Sequence, residues 1–196
     1  MEPLGMVSIV LMLKLTGKQR LSPLLTGGQR HALILFLFER MLSVLKGCTI
    51  YIATPDILET HHAIISDQWE DINRVLSKAR KIIAGDMIIL PCDLAFVDRE
   101  EIEALIDGCV TIVPSQDGGT NALYIPENIS FETQFGKNSF KNHIKVLDSQ
   151  KIPYRIYRSD KFRDIDSEAD ISWSLTHEQD SEFSQFFKAL LSEEDI

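Results

Sequence analysis

Residues 7–23, VSIVLMLKLTGKQRLSP, set the pattern from which the rest of the chain is read. Val7 to Leu13 is a short apolar run ending at Lys14, as a buried strand does. Lys14 to Pro23 is polar, with the cations Lys14, Lys18 and Arg20 and the single glycine Gly17. Thr26 then stands where a helix is capped, and that helix continues to about Lys46 and stops at Gly47. Between Leu33 and Phe38 it is apolar nearly all round, which predicts burial against a sheet.

The alternation continues down the chain. Residues 48–54 are β-branched and aromatic and read as a second strand, closed by Pro55-Asp56, and residues 63–66 as a short third. Ile72, Val75, Leu76, Ala79, Ile82 and Ile83 recur at helical spacing up to Gly85. Residues 87–92 form an apolar strand ending on Asp93. Asp98 with Glu101 predicts a capping box for a helix to about Asp107. Strands follow at 109–114 and 122–125, a helix opens at Ser139 with Phe140, Ile144 and Leu147, and a strand covers 154–157. A helix start is read at 167–170, and a last helix at 181–191 precedes the acidic residues 193–195. Strands alternating with helices predict an α/β sandwich with a largely parallel sheet. Ligands of such sheets bind beyond the carboxyl ends of the strands.

At 196 residues the chain fits one domain, 1–196, with a real core. Twenty Lys and Arg against 29 Asp and Glu give a net charge of −9. This argues against a nucleic-acid partner, which demands a basic face, and against a polybasic membrane anchor. A local cluster of cations still permits an anionic ligand. The longest apolar runs fall far short of the roughly 20 residues of a membrane span. Glu2 in place of a basic leader, and Cys48, Cys92 and Cys109 without CxxC spacing, predict a cytoplasmic protein with small buried thiols.

Four stretches carry chemistry. In the first loop Gly17 lets backbone approach a phosphate, and Lys18 and Arg20 can neutralise it. The loop lacks GxxxxGK[ST] and is not a P-loop, and a solvated loop would hold cations too. Asp93, directly after a buried strand, can hold Mg²⁺ or cap the next turn. Asp164 and Asp166 face one way in an extended segment with Ile165 inward. With Asp93 they can form a divalent-metal site, or they belong to a polar turn before the helix at 167–170. Asp117-Gly118-Gly119-Thr120-Asn121 offers backbone N–H groups to an anion. So does Phe135-Gly136-Lys137-Asn138-Ser139 at a helix start, where Ser139 could equally be a plain N-cap. His143, one turn on, reads as a residue packed on the helix surface.

These stretches together resemble the 2-phospho-L-lactate guanylyltransferases of deazaflavin coenzyme biosynthesis. The resemblance rests on Lys18-Gln19-Arg20-Leu21-Ser22-Pro23, Asp93-Leu94, Pro114-Ser115 with residues 117–123, Phe135-Gly136 with Ser139-Phe140 and His143, and Asp164-Ile165-Asp166. Two departures stand out. Asp93-Leu94 is followed by Ala95-Phe96 where the family usually has Pro-Leu, and the first strand ends Leu11-Met12-Leu13 without the family's Pro and Lys.

The resemblance implies a nucleotidyltransferase-like, Rossmann-like three-layer sandwich with a mostly parallel mixed sheet. It also implies GTP as donor, Mg²⁺ as cofactor and a phosphorylated three-carbon acid as acceptor. Gly17, Lys18 and Arg20 would bind the triphosphate, with Asn73 near the nucleotide. Asp93 and Asp166 would hold the metal, with Lys18, Arg20 and Asp93 catalytic. Thr120, Gly136 and Ser139 would bind the acceptor acid, and a homodimer is common among similar proteins. A phosphate monoester is already an anionic nucleophile, so the chemistry needs positioning and charge neutralisation rather than a general base. Phosphoenolpyruvate or another phosphorylated acid as acceptor, and a non-catalytic nucleotide-binding paralogue, are the competing readings.

Overall fold

Ser8–Met12 (β1) lies inside the sheet with both faces buried, because Ile9 and Leu11 point one way and Val10 the other. The computed structural model describes residues 3–66 and 71–192, so the acidic residues 193–195 fall outside the described residues. Among the described residues one sheet holds Thr49–Thr54 (β2), Ala63–Ser66 (β3), Met87–Pro91 (β4), Val110–Pro114 (β5), Thr120–Ile125 (β6) and Tyr154–Ile156 (β7) beside β1. The order is β3-β2-β1-β4-β6-β5-β7. Every pairing is parallel except the two made by β6, which runs against β4 and β5. The mostly parallel mixed sheet is therefore observed.

Gly27–Val44 (α1) and Arg99–Glu103 (α3) cover one face through Ile34, Phe38, Met41 and Ile102. Ile72–Ile82 (α2) and Ser139–Gln150 (α4) cover the other through Val75, Leu76, Ala79 and Leu147. Glu168–His177 (α5) and Glu182–Ser192 (α6) form a further layer outside α1. There Leu33 and Leu37 of α1 meet Ile171, Phe183, Phe187 and Leu190. This explains why α1 is apolar nearly all round: the sheet takes one side and α6 the other. Among the described residues no helix is long and apolar enough to cross a membrane.

Local signals account for several ends. The Thr26 side chain accepts from the Gln29 N–H while Gln29 reaches back to the Thr26 N–H, a complete capping box. Thr26→Ala is expected to cost about 1 kcal/mol, a fall of roughly 2–4 °C in Tm by thermal melting. Three expectations need correction. The helix opened by Asp98 stops at Glu103, where the chain tightens into i→i+3 bonds from Leu105 N–H to the Ile102 carbonyl and from Ile106 N–H to the Glu103 carbonyl. The Glu101 carboxylate does not close a box at its start but accepts from Tyr157 Oη at 2.8 Å and Ser159 Oγ at 3.0 Å. Ser139 is not a cap: Asn138, at φ 57°, precedes the helix, and Ser139 turns inward. Cys92 is buried, but Cys48 and Cys109 are only half-buried.

The strand at 122–125 begins earlier, at Thr120, and its first residues carry a bulge. Val113 faces Ala122, but the next residue, Pro114, faces Thr120, so Asn121 is an extra residue in the ladder. A bulge breaks the strict alternation of a strand. Asn121 consequently shares the α1 side with Ala122 and donates to the Phe162 carbonyl at 2.8 Å. Thr120 turns to the opposite side, toward α4.

Candidate active site

The carboxyl ends of β1 and β4, where the chain's path through the sheet reverses direction, border a cavity of about 330 Å³. Met12, Leu13, Ala53, Pro55, Ile72 and Pro91 supply its apolar wall, and Gly17, Lys18, Asp93 and Asp166 its polar end. Lys18 stands at φ 61°, a left-handed conformation uncommon outside glycine, at the head of a short 3₁₀ turn over Gln19–Leu21. The turn sends its side chain inward until only 7% is exposed. The ammonium then sits 2.5 Å from Asp93 Oδ2 and 2.6 Å from Asp166 Oδ1. Burial alone would lower its pKa, but the Asp93 and Asp166 carboxylates outweigh that and push it up to about 12.

Asp166 reaches Asp93 through backbone pairing. Leu94 and Asp164 form an isolated antiparallel bridge, and the Ile165 N–H donates to the Asp93 carbonyl at 3.2 Å. Ile165 is fully buried, as alternation along an extended segment requires. Ala95 and Phe96, the residues that depart from the family pattern, point away into the cluster with Phe183 and Trp173 and leave the Asp93 side chain beside Lys18. Asp164 accepts from Asn121 Nδ2 at 3.0 Å. Burial first, and then the neighbouring Asp93 charge, raise its pKa to about 6, against the pull of the Asn121 hydrogen bond.

Arg20 is 69% exposed and lies 3.9 Å from Asp117, so the structure leaves it at the rim. Asn73 does not line the cavity. Its Oδ1 accepts from Phe135 N at 2.7 Å and Thr133 Oγ1 at 3.0 Å, and its Nδ2 donates to the Phe135 carbonyl at 3.0 Å. It clamps the segment that leads into Gly136. Gly136 has φ 124°, a conformation that L side chains rarely adopt.

Thr120 lies at the same edge of the sheet, because β6 runs antiparallel and begins where β4 ends. Ser139 Oγ donates to Thr120 Oγ1 at 3.1 Å, and both residues are nearly fully buried. The anion site expected from free N–H groups at the start of α4 is narrower than the sequence implies. Ser139 N–H donates to the Gly136 carbonyl and Phe140 N–H to the Gly118 carbonyl. The Thr120 and Ser139 hydroxyls lie at the same helix start.

Sequence reasoning misses two participants. Asn121, part of a glycine turn in the sequence, ties Asp164 to β6. His143 is fully buried rather than on the helix surface, and its Nδ1 lies 3.1 Å from Thr120 Oγ1. Its spacing from Ser139 and Leu147, one helical turn each way, was the available signal, since the three share a buried face.

This arrangement has relatives. A protein from Desulfovibrio desulfuricans G20, assigned as a nucleotide-diphospho-sugar transferase, has the same fold, with a TM-score of 0.77 at 13% identity over 97% of this chain and 98% of its own. Rv0371c of Mycobacterium tuberculosis, solved in complex with manganese, superposes with a TM-score of 0.51 at 12% identity over 87% of this chain and 97% of its own. The 2-phospho-L-lactate guanylyltransferase of Methanosarcina mazei is 30% identical over 176 residues, covering 84% of this chain and 83% of that protein. Residues 6–193 match the family described as guanylyl transferase CofC-like, and the chain belongs to that family of nucleotidyltransferases.

Proposed function

We propose that the protein transfers the guanylyl group of GTP to the phosphate of 2-phospho-L-lactate and releases pyrophosphate. The observation that carries this reading is the Lys18 ammonium held between Asp93 and Asp166 at the mouth of the β1–β4 cavity. A cation held between two carboxylates at the mouth of this cavity supports a site where charges are balanced around a triphosphate and its metal. The reading includes one nucleotidyltransferase-like domain over residues 1–196, working as a cytoplasmic homodimer.

The residues present fit a divalent cation. Asp93 Oδ1 is buried and, among the described residues, has no hydrogen-bond partner. The Lys18 ammonium already occupies a cationic position on the same pair. No group of three or more His, Cys, Asp or Glu in the described residues could hold a metal ion. Asp93 and Asp166 as the protein's two ligands suit Mg²⁺, which takes one or two carboxylates and completes its shell with water and substrate phosphates. When bound, Mg²⁺ neutralises triphosphate charge and stabilises the departing pyrophosphate.

The protein's own groups do the rest. Gly17 and Lys18 approach the triphosphate from the first loop, and Arg20 adds charge from the rim. Thr120 and Ser139 hold the acceptor phosphate beside the Gly136 turn, which Asn73 fixes from α2. An oxygen of that phosphate forms a bond to the α-phosphorus of GTP, and the bond from that phosphorus to the oxygen bridging the β-phosphate breaks. No proton need leave the nucleophile, so alignment and charge supply the rate.

Pyrophosphate release with GTP, Mg²⁺ and 2-phospho-L-lactate tests the reading, with phosphoenolpyruvate, ATP and CTP as the comparison arms. Release with GTP and phospholactate is the expected result. Release with phosphoenolpyruvate alone would change the acceptor. Silence with every pair, from folded protein that still binds GTP, would make the chain a binding module.

A further inference from the structure

Behind the proposed acceptor site, Thr120, Ser139 and His143 form a hydrogen-bonded set whose polarity follows from one fixed donor. The backbone N–H of Gln134 points at His143 Nε2 at 2.8 Å. A backbone N–H can only donate, so Nε2 carries no proton and a neutral ring holds its proton on Nδ1. The ring is fully buried, with the edges of Phe131 and Phe135 against it. Burial pushes its pKa down to about 4, against the Ser139 backbone one turn back, so it is neutral near pH 7.

Nδ1–H is therefore a donor facing Thr120 Oγ1, with the Ser139 backbone one turn back as a second acceptor, and cannot take the Thr120 proton. Thr120 and Ser139 bring two hydroxyl protons, and one bridges the two oxygens, 3.1 Å apart. The other is left over. With the opposite tautomer the Thr120 proton would go to Nδ1 and the Ser139 proton to Thr120, and none would remain. An anion needs donors, and two hydroxyls showing it only lone pairs would repel it. The tautomer of His143 thus decides which the site presents.

We propose that His143 is a positioning residue that sets the Thr120–Ser139 pair as a hydrogen-bond donor toward the acceptor phosphate. The proposal rests on the reading of Thr120 and Ser139 as acceptor-binding. Its anchor is held from α2, because Asn73 fixes Phe135, the neighbour of Gln134.

Three variants test it, each read as separate KM values for the acceptor and for GTP. His143→Phe keeps the bulk and removes both nitrogens. It is expected to raise the acceptor KM about tenfold or more with the GTP KM within about twofold, as loss of a donor to a charged group implies. His143→Asn places an amide N–H near the Nδ1 position and is expected to recover most of that loss. Thr120→Val tests the underlying reading and is expected to raise the acceptor KM by at least as much.

An unchanged acceptor KM in His143→Phe beside a raised one in Thr120→Val would overturn the proposal and leave the reading standing. Equal losses in the Phe and Asn variants would also overturn it. An unchanged KM in Thr120→Val would remove the reading itself. If His143→Phe does not fold, two-bond ¹⁵N–¹H correlations of the wild-type imidazole decide the matter: a proton on Nδ1 is expected, and one on Nε2 overturns the proposal.

Discussion

Asp93→Asn is expected to lower the turnover number for pyrophosphate release by about 10³-fold or more, with the fold intact. The substitution keeps the shape of the side chain and removes the charge that faces Lys18 at 2.5 Å. The fold should survive because Lys18 retains Asp166 at 2.6 Å. The backbone bond from Ile165 to the Asp93 carbonyl does not involve the side chain at all. What is lost is the negative charge of one of the two carboxylates and one of its two oxygens, on a side chain whose Oδ1 is buried without a hydrogen-bond partner among the described residues. A Mg²⁺ titration of the residual rate should show a weaker apparent affinity alongside the fall in turnover. A variant within about tenfold of the parent, at saturating Mg²⁺, would remove Asp93 from the cation-holding pair.

Asp164→Asn is expected to raise stability at neutral pH. The Asp164 carboxyl is held at about 6, mainly by burial and then by the charge of Asp93. In the unfolded chain it returns to its ordinary value near 4. Between those values the folded state binds the proton more tightly than the unfolded state does. Stability in chelator-treated protein should therefore fall as pH rises from about 4 to about 6 and then level off. Asn carries no charge to bury and can keep a hydrogen bond to Asn121. The variant should be more stable above pH 6 by up to about 3 kcal/mol and should lose that part of the pH slope. Urea unfolding at pH 4.5 and pH 7.5 measures both. A variant less stable than the parent at pH 7.5 would show that the Asn121 contact outweighs the buried charge. A carboxylate kept at a stability cost, beside Asp93 and Asp166, fits a site that uses negative charge.

Much of the candidate site is legible in the sequence because its residues follow strand ends. Lys18 lies in the loop after β1, Asp93 two residues after β4, and Thr120 beyond the glycines that follow β5. Apolar runs and the polar residues that terminate them are local features, and a sequence displays them. What misled the reading was also local. Glu101 looked like a capping partner because it stands three residues after Asp98, yet Tyr157 and Ser159 claim it from across the fold. Asn73 engages Thr133 and Phe135 through its amide, contacts made across the fold. Nothing near Asn73 in the chain announces those partners.

By itself the sequence determined the alternation of strands and helices, the two-sided burial of the strands and the capping of α1 by Thr26. Each depends on the spacing of a few neighbouring residues. Only the tertiary structure decided that β6 runs antiparallel between β4 and β5, and that the bulge at Asn121 turns Thr120 toward α4. It also decided that Lys18 meets carboxylates 75 and 148 residues further along the chain. Register, bulges and long-range ion pairs are settled when whole elements pack against one another, and the packing energy that selects them is written in no single stretch of the chain.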